Sequence, residues 1–79
     1  MSTTTRNNTL RADQMKIRYR AEKLGLEPLG NHGRFTFVET TEEGPHLWGH
    51  NLTNPEAVKC LHEVAQAKGI DLPPVALRA

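Results

Sequence analysis

The chain is predicted to fold as one small α+β domain: helix, short strand, β-hairpin, helix, with both helices packed on one face of a small antiparallel sheet. Three observations predict it. Apolar residues recur at helical spacing on either side of a central stretch, and within that stretch the period falls to two. Gly followed by an apolar residue, Gly25-Leu26 and Gly69-Ile70, closes each helical segment. Seventy-nine residues provide for one core only, and a single cysteine, Cys60, leaves folding to packing without an internal disulfide.

Residues 1–8 are rich in Thr and Asn and hold no apolar anchor after Met1, which predicts a disordered tail. A helix over 9–24 follows, capped by Asn8 or Thr9, with Leu10, Ile17, Ala21 and Leu24 on one face. Leu26-Glu27-Pro28-Leu29 can form a short strand, which Pro28 confines to an edge. The hairpin spans 34–51. Glu42-Glu43-Gly44 is read as a three-residue loop with Gly44 at positive φ, so that Thr41 faces Pro45, Val38 faces Trp48 and Phe37 faces Gly49. Thr53 with Glu56 forms a capping box, and Pro55 suits the first turn of a helix over 54–68. Pro73-Pro74 makes 73–79 an extended tail, so the domain spans 9–72. The expected core is Leu10, Ile17, Leu24, Phe35, Phe37, Leu47, Leu61 and Val64.

Several function classes lose support at this stage. No run of 18 apolar residues is present, and the N-terminus does not read as a secretory signal, so a cytoplasmic protein without membrane contact is expected. The lone serine, Ser2, falls in the tail, and mid-helix Cys60 lacks a thiolate-stabilising setting. Cys60 and His62, two apart on a helix, point about 200° apart around its axis, and no Cys-x-x-Cys is present, so no metal is expected. Gly25, Gly30 and Gly33 lack the strand–loop–helix context of a phosphate loop. Neither a cofactor nor a small-molecule substrate is expected.

Two surfaces remain. The net charge of +1 hides a basic half, with seven Lys/Arg against three acids over 1–34, and an acidic half, with three against six over 35–79. In the first helix Lys16, Arg20 and Lys23 form one stripe and Arg11 and Arg18 another; Arg34 extends them, and together they can meet nucleic-acid phosphates. The competing reading is a solvated face relieved by Asp13 and Glu22. The second surface is the hairpin face opposite Phe35 and Phe37, where Val38 and Trp48 sit with His46 and His50 as a protein-interaction patch. Its alternative is that Leu72, Val75 or Leu77 folds across it. The function expected is a non-enzymatic accessory or regulatory module. Its partner is either nucleic acid or a protein, the latter a second copy in a homodimer or a host protein that the chain inhibits.

At Gly30-Asn31-His32, after Lys23-Leu24-Gly25-Leu26, the chain resembles the HicA-type toxins, small ribonucleases with a double-stranded-RNA-binding-domain-like α-β-β-β-α fold. The similarity runs from Lys23 to Asp71. It implies His32 as a catalytic general base on a ribose hydroxyl, with Arg34 beside it for the phosphate. Asn31 stands in the place of the family's serine, Gly33 follows the motif, and no proline precedes His50. The chain also resembles short orphan proteins of actinobacteria, their plasmids and phages. There a Gly-Arg-aromatic strand (Gly33-Arg34-Phe35) leads to a Leu-Thr-x-x-Glu helix start (Leu52 to Glu56). That likeness implies a fold and a possible viral origin rather than an activity. The expectation is no catalysis.

Overall fold

A computed structural model describes residues 2–31 and 33–77, with side chains over 11–30 and 33–77. The order is α1 (Ser2–Lys23), β1 (Glu27–Asn31), β2 (Arg34–Thr41), β3 (Gly44–Leu52) and α2 (Asn54–Lys68). The strands form an antiparallel sheet in the order β1-β2-β3, and both helices cover the face that bears Phe35 and Phe37. This is the α+β arrangement predicted. β1 pairs with β2 alone, which leaves Pro28 on an edge strand where its missing N–H breaks no ladder.

The first helix differs from expectation at its start. Residues 2–8 extend α1 instead of forming a tail, and Asn8 and Thr9 lie inside the helix rather than capping it. No Gly or Pro occurs from Ser2 to Lys23, so no residue interrupts the backbone ladder. Each Thr or Asn costs only up to about 0.7 kcal/mol of propensity. The far end behaves as predicted. Gly25 takes φ 79°, and the Leu26 N–H donates to the Ala21 carbonyl at 2.9 Å, folding Leu26 into the core.

Helix α2 matches its sequence signals closely. Thr53 caps it, the reciprocal capping box with Glu56 is complete, and Gly69 ends it at φ 69°. Ala57, Leu61, Val64 and Ala65 bury the stripe that meets α1 and the sheet.

The hairpin is where register changes faces. Thr41 pairs with Gly44, closing a two-residue turn rather than the expected three; Gly44 keeps the positive φ foreseen for it, at 113°. Val38 then pairs with Leu47, not Trp48, whereas Phe37 still pairs with Gly49. The difference is a β-bulge that inserts Trp48 as an extra residue on β3. A second extra residue falls between Gly49 and Leu52, where Asn51 adopts φ 56°, a left-handed conformation that Asn tolerates. One inserted residue sends a side chain to the opposite face. The shorter turn shifts the register by one, so Leu47, expected in the core, pairs with Val38 and is 55% exposed on the uncovered sheet face, and Trp48 falls on the helix side.

Ile17, Leu24, Phe35, Phe37, Leu61 and Val64 form the core as predicted, joined by Ala21, Leu26, Ala57, Cys60 and Ala65. Leu10 is expected there too, but its side chain lies outside those described. Phe35 and Phe37 stack at 5.7 Å between ring centroids. Asp13, read from sequence as charge relief on a solvated face, is fully buried. Its spacing with Ile17, Ala21 and Leu24 places it on the packed stripe. After α2 the chain has no regular secondary structure over 70–77, yet Leu72 and Leu77 pack against the core and Lys16 Nζ donates to the Ala76 carbonyl at 3.1 Å.

Candidate nucleic-acid interface

With Ile17, Ala21 and Leu24 inward, α1 turns Arg11, Met15, Tyr19, Glu22 and Lys23 outward. Met15 is 65% and Tyr19 57% exposed. Lys23 Nζ stands 4.6 Å from the Tyr19 ring centroid, a cation–π contact. Arg18 lies on the flank facing β1. A Cβ on Gly30 would come within 3.0 Å of Arg18 Nη2, so glycine leaves the room in which the guanidinium rests across the strand. Gln14 approaches Gly33 in the same way, its Nε2 standing 3.5 Å from where a Cβ would lie.

The six cations expected to act together fall into different environments. Arg11, Arg18 and Lys23 are exposed and, among the described residues, in no ion pair. Lys16 and Arg20 sit on the opposite flank. Lys16 lies 4.0 Å from Asp13 and reaches Ala76, and Arg20 turns Nη1 back to the Lys16 carbonyl at 3.4 Å. Arg34 donates to the Asn51 carbonyl at 3.3 Å, which ties the start of β2 to the second bulge. The two stripes read from sequence thus lie on two flanks of the helix, with Tyr19 and Met15 between them.

The protein-interaction patch is split by the bulges. Trp48 Nε1 donates to Glu39 Oε1 at 2.9 Å, and His46 meets the indole edge-on at 4.7 Å. Glu39 also binds Lys68 of α2, and these two bonds hold its carboxyl below the usual Glu value, the Lys68 bond most strongly. His50 points to the other face, where Nδ1 lies 3.2 Å from Thr36 Oγ1. Val38 stays on that uncovered face, now with Leu47 and with Leu29, which is 47% exposed. Leu29 and Leu47 are the apolar residues that sequence reasoning missed there. Gly49 beside Trp48 and Asn51 beside His50 were the available signs of irregular pairing.

Between β3 and α2 runs a groove of about 320 Å³ lined by Trp48, Gly49, Leu52, Lys59, Cys60 and Glu63. Cys60 at its floor is buried, donates to the Trp48 carbonyl at 3.6 Å, and has its thiol pKa raised by burial and then by Glu63. That setting opposes a nucleophilic thiolate. Among the described residues no three His, Cys, Asp or Glu groups converge as metal ligands, and no helix is long and apolar enough to cross a membrane. His32, the catalytic candidate under the toxin resemblance, lies outside the described residues. Comparison with protein-family models, curated proteins and solved structures returns no match.

Proposed function

We propose that the chain is a non-enzymatic nucleic-acid-binding module that uses the outward face of α1. The observation that carries this reading is the environment of Arg11, Arg18 and Lys23: three exposed cations with no carboxylate partner among the described residues, flanking an exposed Tyr19 and Met15. A convex helix with cations on both sides of an aromatic ring suits a groove bordered by phosphates, where the cations neutralise backbone charge and the ring packs against sugars or bases. Arg34 extends the contact from the start of β2. Four such contacts give a slope of log K against log salt of roughly −3 to −4. A salt-titrated duplex-binding assay tests this; binding that ignores salt contradicts it.

A second reading has its own observation. Leu29, Val38 and Leu47 lie together on the sheet face that no helix covers, a basis for a protein partner or a homodimer. Sedimentation across a concentration series, with Leu47→Ser beside the parent, separates the two. Self-association abolished by that substitution and indifferent to salt favours the sheet face. A ribonuclease acting through His32 is the enzymatic alternative. RNA that stays intact with the parent protein supports the binding module, and cleavage lost in His32→Ala supports the ribonuclease.

A further inference from the structure

The Lys16 ammonium does not stand open with the other cations of α1. The Lys16 side chain is 35% exposed, its Nζ donates to the Ala76 carbonyl at 3.1 Å, and the Asp13 carboxylate lies 4.0 Å away. Arg20, one turn on along the same flank, folds Nη1 back to the Lys16 carbonyl, and its Nε is buried with no hydrogen-bond partner among the described residues. A guanidinium with an unsatisfied buried N–H gains by turning outward to an acceptor. The segment that reaches Lys16 is lightly held. Over 71–77 it has no regular secondary structure, and its described anchors are Leu72, Leu77 and the single bond from Lys16. Segments with few buried contacts and no backbone ladder open at low free energy. Pro73-Pro74 keeps the segment extended, which lowers the entropy lost when it settles again.

We propose that residues 71–77 form a releasable strap that masks Lys16 and lowers the chain's affinity for nucleic-acid phosphates. The inference rests on the reading of α1 as a phosphate-binding helix. Release frees the Lys16 ammonium and lets Arg20 swing outward, adding one or two cations to those already exposed. By linkage, a polyanion that engages Lys16 favours the open strap, because it binds that state more tightly than the closed one.

The test uses the full chain with Leu77→Ser, which removes the anchor next to Ala76, in a salt-titrated duplex-binding assay. The expected result is a several-fold rise in affinity and a slope steeper by about one to two units. Adding Lys16→Ala to Leu77→Ser should remove most of that gain and bring the slope to within about one unit of the parent's, Arg20 accounting for any remainder. Should Leu77→Ser unfold the chain, replacing Pro73 and Pro74 by Gly loosens the strap without removing a core contact and carries the same expectation. Unchanged affinity and slope in a folded strap variant, with the parent still salt-dependent, overturns the strap and leaves the α1 reading standing. Absence of duplex binding by every form overturns both.

Discussion

Trp48 Nε1 donates to Glu39 Oε1 at 2.9 Å, and Glu39 in turn binds Lys68, so one carboxylate joins both strands of the hairpin to α2. The register set by the two-residue turn allows this. With a three-residue loop Trp48 would oppose Val38 on the uncovered face, out of reach of α2.

The Glu39 carboxyl lies below its usual value of 4.5, so the folded chain binds its proton less readily than the unfolded chain does. Its contribution is therefore present above the unfolded pKa and is lost as pH falls through the folded one. Urea unfolding of parent and Glu39→Gln should differ at pH 7 and converge as pH drops below the ordinary Glu range. An equal difference at pH 7 and pH 3 would show that the ionised carboxylate is not what matters.

The observed register makes an opposed pair of expectations for neighbouring residues. Leu47→Ser should change stability by less than about 0.5 kcal/mol, because Leu47 is exposed, if the isolated chain is a monomer. Trp48→Ala should cost roughly 2–4 kcal/mol, since it removes a part-buried ring and leaves Glu39 short of a donor. The register read from sequence alone requires the reverse order, and urea midpoints decide between them.

Gly49 faces α2 so closely that a Cβ there would meet Leu52 Cδ1 at 2.6 Å and Cys60 Sγ at 3.1 Å. Gly49→Ala should destabilise by about 1–3 kcal/mol through overpacking. A neutral effect would place Gly49 on the open face.

At the centre of the core, Phe37→Ala should cost about 3–5 kcal/mol, since the ring is fully buried against Phe35 and both helices. A loss under about 1 kcal/mol in urea would reverse the faces of β2.

What the sequence made legible follows the range of the interactions involved. Helix α2 was readable to the residue because Thr53, Pro55, Glu56 and Gly69 act within a turn of its ends. Phe35, Phe37, Ile17 and Leu61 were readable because period alone places them. Leu47 and Trp48 exchanged faces because the turn closes one residue shorter than expected and a bulge follows it, both set by pairing across strands, and only Gly49 and Asn51 hint at the bulge locally. Asp13 was misjudged because its charge suggested solvent while its spacing followed Ile17 and Leu24 inward. In the candidate interface the six cations were legible as residues, but not the division between exposed Arg11, Arg18 and Lys23 and the tethered Lys16. That division depends on Ala76, sixty positions away.

The central claim is that α1 meets phosphates through its exposed cations, and the salt dependence of duplex binding tests it most directly. Arg11→Ala with Arg18→Ala removes two of them from the solvent side of the helix and leaves the core untouched. The account predicts weaker binding and a slope of log K against log salt shallower by about two units than that of the parent, with unfolding unchanged. A double variant that binds with the parent's affinity and slope would contradict it.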